Sequence, residues 1–88
     1  MDEPGRSIVR EEAFEDELHV LIRDAQAADR FTEAAEWVLS ANPHLGEPDA
    51  SAPEVWVLPM APIDGLTIWL FYTFDDSTVT FLALRPVD

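Results

Sequence analysis

The 88-residue chain sets 18 Asp and Glu against five basic residues, all Arg, for a formal net charge of −13, and it has no cysteine. Its length suits one domain, residues 1–88, with a modest core, and 48% hydrophobic residues exclude a disordered acidic tail. Disulfides and thiolate metal sites are excluded too, and the charge opposes direct binding to nucleic acid or anionic membranes, which needs clustered Lys and Arg.

The first residues, Met1 to Gly5, read as a frayed end. Met1-Asp2-Glu3-Pro4 is acidic where a secretory signal would be basic, and no apolar run is long enough to cross a bilayer, so a cytoplasmic protein is expected. Ser7-Ile8-Val9-Arg10 suits a short edge strand or the lead into a helix. From Glu11, the apolar positions Phe14, Leu18, Leu21, Ile22 and Ala25 recur at helical spacing. Five acids between Glu11 and Glu17 favour the positive end of the helix dipole, and this helix is expected to end near Ala27 or Ala28. A second helix, from about Asp29, buries Phe31, Ala34, Ala35, Val38 and Leu39 and stops at Asn42-Pro43, because the residue before proline avoids the α region. So short a connection predicts an antiparallel helical hairpin.

Gly46 to Pro53 has no periodicity and reads as a loop. Val55-Trp56-Val57-Leu58 reads as a strand that Pro59 and Pro62 shorten or place near an edge. Ile63-Asp64-Gly65 turns the chain into Leu66–Phe74, the most apolar stretch, which reverses through Asp75-Asp76-Ser77 into Thr78–Leu84 as a β-hairpin. Strand alternation puts Ile68, Leu70, Tyr72 and Phe74 on one face and Trp69 and Phe71 on the other. The fold class is therefore α+β: an antiparallel helical hairpin packed on one face of a three- to four-stranded antiparallel sheet.

Several residues are candidates for binding. Trp37, Trp56 and Trp69 suit interface anchors, since Trp is over-represented at hot spots. Trp37 lies off the helical stripe, and Trp69, Phe71 and Trp56 would form an uncovered apolar patch if the helices cover only one face. Arg85 suits a partner or anion contact, with a surface ion pair as the simpler reading. Tyr72 suits the core with its hydroxyl at the rim. His19 shares helical spacing with Glu15 and Arg23, which amounts to i,i+4 pairing. No metal or cofactor site is dictated.

The chain resembles the RelE/ParE superfamily of toxin–antitoxin toxins over nearly its whole length. The residues that carry the resemblance are Phe14-Glu15-Asp16-Glu17-Leu18, Leu39-Ser40-Ala41-Asn42-Pro43-His44-Leu45-Gly46, and Trp69–Tyr72 with Asp75-Asp76 and Val79–Arg85. The resemblance implies either mRNA cleavage on the ribosome by a basic site or, in ParE-like members, binding to DNA gyrase, with neutralisation by an antitoxin. This chain departs from the nuclease pattern. Trp69 stands three residues before Tyr72, where the family often carries Arg, and Val55–Met60 lacks the expected Lys. Only Arg85 falls near a position where the family keeps an Arg, and one Arg does not build a phosphoryl-transfer site. The implied function is non-enzymatic, by protein–protein binding to an antitoxin or another partner, or to a second copy. The alternative is an acidic nucleic-acid mimic that blocks the groove of a basic nucleic-acid-binding protein. Salt adaptation or solubility would also account for the charge.

Overall fold

A computed structural model describes residues 5–63 and 65–87. Of the fray expected at Met1 to Gly5, the first four residues lie outside them, as does the turn residue Asp64, whereas Gly5 is described and sits so close to α2 that a Cβ on it would stand 2.8 Å from the Ser40 carbonyl oxygen. The elements are β1 (Ser7–Arg10), α1 (Glu12–Leu21), α2 (Ala25–Ala41), a 3₁₀ turn (Pro43–Leu45), β2 (Glu47–Asp49), β3 (Ala52–Ile63), β4 (Leu66–Phe74) and β5 (Thr78–Pro86). The strands form one five-stranded sheet in the order β1-β5-β4-β3-β2.

The helix-on-sheet arrangement matches the expected class, but the sheet is larger than three to four strands and is mixed. β1 pairs with β5 in parallel, Ser7 opposite Thr78 and Arg10 opposite Phe81. The connection permits the parallel pair: both helices and three strands separate β1 from β5, so the chain need not return by a hairpin. The other three pairings are antiparallel.

The helices divide differently from the periodicity. α1 ends at Leu21 and α2 begins at Ala25, because the Asp24 carboxylate accepts a hydrogen bond from the Ala27 backbone N–H (2.9 Å) and caps the second helix. Ile22, counted on the first helix, belongs to the connection and is still buried. Arg23 therefore lies outside α1, and the face proposed for Glu15, His19 and Arg23 does not form.

The stretch expected to be a loop contains β2, whose Glu47 and Pro48 pair with Val57 and Trp56. β3 runs through both prolines. β2 extends no further along it than Val57, so Pro59 has β4 on one side and no paired strand on the other, while Pro62 falls in the irregularity between Met60 and Ile63 where the β4 pairing lapses. A Cβ on Gly46 would lie 2.5 Å from the Val57 carbonyl oxygen, so the Val57 polar groups point toward the β2 side. Alternation aims Pro59 the same way, and its missing N–H falls on the open edge instead of in the β3–β4 ladder.

The core lies between the helices and one sheet face. Phe14, Leu18, Ala28, Phe31, Ala35 and Leu39 pack on Ile68, Leu70, Tyr72, Val79, Phe81 and Leu84. Between Phe71 and Tyr72 the register on β5 jumps from Ala83 to Phe81, so Leu82 is an extra residue, a β-bulge. Beyond Phe81, β1 no longer covers β5, and the Leu84 N–H donates instead to Glu17 Oε1 of α1 (2.7 Å).

Tyr72 joins the helical layer to the sheet. Its side chain is fully buried, its hydroxyl donates to the Pro43 carbonyl (2.7 Å), and it accepts from the Gly46 N–H (3.0 Å). Burial raises the phenol pKa and the Gly46 N–H opposes that rise, the net direction being upward. A Cβ on Gly46 would also stand 2.7 Å from this hydroxyl, so the residue must be glycine for steric reasons. Beside it, the His44 ring meets Phe74 (4.9 Å) and Trp56 (5.4 Å) edge-on and closes the end of the core.

Tyr72→Phe leaves the Pro43 carbonyl and Gly46 N–H without this partner, and is expected to lower stability in urea unfolding by about 1 to 3 kcal/mol. Tyr72 is the only tyrosine, so ultraviolet tyrosinate absorbance reports it alone. The folded chain holds its proton more tightly than the unfolded one. Its contribution to stability should be complete below the ordinary phenol pKa of about 10 and fall as pH rises from there through the raised value. Tyrosinate appearing at the ordinary pKa while the fold persists would contradict this assignment.

Candidate functional site: the uncovered sheet face

The two faces of the sheet differ sharply. Behind the core face, cross-strand pairs build rows of outward residues: Glu47, Val57, Phe71 and Ala83; then Pro59, Trp69 and Arg85; then Thr73, Thr80 and Val9. Within these rows only Glu47 and Arg85 carry charge. No described helix packs on this side, Trp69 is 44% exposed, and Val9 is also exposed. The Trp69 and Phe71 rings meet at 6.4 Å and 65°, an edge-on pair held by adjacent same-face positions on β4.

Most of the described acids lie elsewhere. Glu11, Glu12, Asp16, Asp29 and Glu33 are exposed on or beside the helices. Glu15 and Glu36 approach a common cation, Arg10, at 3.1 and 3.6 Å.

Trp69, Phe71 and Arg85 thus come together. Arg85 bridges layers: its guanidinium pairs with Glu17 Oε2 and donates to the Leu84 carbonyl (3.1 Å), while the other Glu17 oxygen takes the Leu84 N–H. The ion-pair reading of Arg85 is the one observed, and the pair sits on the rim of the apolar face.

Trp37 and Trp56 do not join this site. Trp56 was expected with the uncovered patch, but it pairs with Tyr72 and therefore faces the helices, where it is partly buried against Phe74 and His44. The β3–β4 register decides this, and β3 alone does not reveal it. Trp37 is 79% exposed, as its place off the stripe predicts, but it is on α2. There it lines a cleft of about 640 Å³ with Arg6, Ser40 and Asp76. The Arg6 Nε–H donates to the Asp75 carbonyl (2.7 Å), and its guanidinium lies 5.9 Å from the Phe74 ring centroid.

Sequence reasoning missed Val57, Pro59, Ala83 and Glu47. Val57 and Pro59 follow the same alternation as Trp69 and Phe71, and once β3 is extended past its first proline that signal places them on this face. Ala83 was hidden by the bulge, and Glu47 by the absence of any strand signal in Glu-Pro-Asp.

Among the described residues, no group of three or more His, Asp or Glu is placed to hold a metal ion, and no helix is long and apolar enough to cross a membrane. The Tyr72 hydroxyl already donates and accepts inside the protein. The Asp75 carboxylate is held below its usual pKa by the backbone N–H groups of Ser77 and Thr78 (2.8 and 2.9 Å) and acts as a turn former. No family model matches the chain, and a search of curated proteins returns no significant match.

An exposed apolar face packs little against its own chain. Trp69→Ser is therefore expected to change unfolding free energy by less than about 1 kcal/mol, in contrast to the 3 to 5 kcal/mol typical when a core Trp is truncated. It should also reduce binding of an environment-sensitive apolar dye. A core-sized stability loss would show that the indole supports the fold.

Proposed function

We propose that this chain is a non-enzymatic binding protein of RelE/ParE-like build, either a ParE-type toxin or a diverged toxin–antitoxin component, acting in the cytoplasm. Its working surface is the uncovered sheet face. The observation that carries the reading is that a chain of net charge −13 keeps an apolar face with only Glu47 and Arg85 charged along its paired rows. Exposed apolar patches of this kind mark interaction surfaces, and a neighbouring antitoxin is the natural protein partner.

The resemblance is supported by two helices preceding the hairpin strands and by the role found for Asn42-Pro43-His44-Leu45-Gly46. That helix stop supplies both backbone groups that hold Tyr72. The non-catalytic reading rests on the residues that stand in the nuclease positions. Trp69 replaces a cation, Arg85 is engaged by Glu17, and Tyr72 points into the core. No Arg85-dependent cleavage of mRNA on translating ribosomes is expected.

The concentration of exposed acids on and beside the helices supports a second reading, an acidic mimic that fills a basic groove on a partner. Co-expression with the protein encoded by the adjacent gene separates the two. The first reading expects a stoichiometric complex that the Trp69→Ser/Phe71→Ser double variant weakens by at least about 2 kcal/mol, roughly thirtyfold in Kd. Charge reversal at Glu12, Asp29 and Glu33, all exposed on the helices, should leave that complex nearly unchanged. The opposite pattern would favour the mimic and overturn the sheet-face reading.

A further inference from the structure

Two grooves flank the uncovered face, and one row of side chains joins them. At the β2 edge, Leu45, Glu47, Asp49, Val57, Pro59 and Trp69 help to line a groove of about 530 Å³. At the opposite edge, where β5 has outrun β1, Asp16, Glu17, Val20, Leu84, Arg85 and Pro86 help to line a smaller groove of about 270 Å³. Val20 is 68% exposed there, a large apolar side chain on the outer surface of α1 beside Asp16 and His19. Pro59, Trp69 and Arg85 are consecutive cross-strand partners, so they run from one groove to the other across the strands.

We infer that this track receives an amphipathic helix of a partner protein, laid across the strands, with an apolar stripe on Pro59, Trp69 and Val20 and basic residues at both ends. The inference rests on the reading of the sheet face as a protein-binding surface and specifies the partner's chemistry. Both ends of the track are acidic, Glu47 and Asp49 at one and Asp16 and Glu17 at the other, with Arg85 already paired to Glu17.

Length selects the helix. Three strand spacings of about 4.8 Å carry the track from β2 to β5, or about 14 Å. The groove beside α1 adds about a helix diameter of 10 Å, so about 16 residues at 1.5 Å each span the whole. Strand addition fits poorly, because Pro59 removes a donor from the open β3 edge. A second copy fits poorly as well: it brings the same net charge of −13, and its Arg85 is already paired.

The test is selection of a displayed random library of about 16-residue peptides on the full chain, followed by affinity measurement on variants. Enriched peptides should carry apolar residues at i, i+4, i+7 and i+11 with Lys or Arg at both ends, and become helical on binding. Val20→Asp, Trp69→Ser and Glu47→Lys should each weaken them by at least about tenfold, with circular dichroism confirming that each variant is folded. No enrichment, enrichment without the helical stripe, or equal binding to Val20→Asp overturns the helix inference. If Trp69→Ser weakens the peptides and Val20→Asp does not, the sheet-face reading survives without the helix. If neither variant has an effect, both fail. A dimer of the free chain that Trp69→Ser dissociates would assign the track to a second copy and overturn it as well.

Discussion

The Tyr72 hydroxyl is the point at which the two layers are locked together. It satisfies one carbonyl and one N–H of the chain leaving α2, which would otherwise be stranded beside the core. By holding Pro43 and Gly46, it directs the chain into β2 beside Val57. That placement sets the edge of the uncovered face and puts Glu47 on it. The Asn-Pro-x-x-Gly pattern is thus one half of a contact whose other half lies 26 residues further on, at Tyr72.

The rest follows from a sheet with two apolar faces and helices enough for one. Fully burying a large apolar side chain stabilises by about 1.5 to 3 kcal/mol, and Trp69 forgoes much of that in the free chain. The charge distribution is consistent with this division: acids gather on and beside the helices, where they keep that side solvated, while the back rows stay nearly uncharged. The open edges are managed separately. Proline occupies the exposed stretch of β3, and the Glu17 carboxylate takes up the Leu84 N–H where β1 ends.

Much of this was legible in the residues. Leu66–Phe74 and the reversal at Asp75–Ser77 announce themselves through β-branched and aromatic runs broken by a turn former, and the two faces of β4 follow from alternation, whereas Ser7–Arg10 suits a strand or a helix lead-in until its pairing with β5 decides. Where the reading went astray, a local signal yielded to a distant partner. The helix boundary moved because the Asp24 cap outweighed a stripe that ran on through Ile22 and Ala25. β3 ran past Pro59 because the missing donor falls on an open edge, a fact set by the length of β2. The parallel pairing of β1 and the bulge at Leu82 have no counterpart in spacing at all. Of the site, Trp69, Phe71 and Arg85 were visible from alternation and residue type. Trp56 was not, because its side depends on which β4 residue it opposes.

The most direct measurement is hydroxyl-radical footprinting of the chain inside cells that naturally make it, compared with the purified protein. Trp37, on the helical side and 79% exposed, serves as the internal reference. Trp69 and Phe71 should be oxidised in the purified chain and protected in the cell, with Trp37 modified in both. Equal oxidation of Trp69 in the two settings, or protection of Trp37 alone, would contradict an uncovered sheet face that works by being covered.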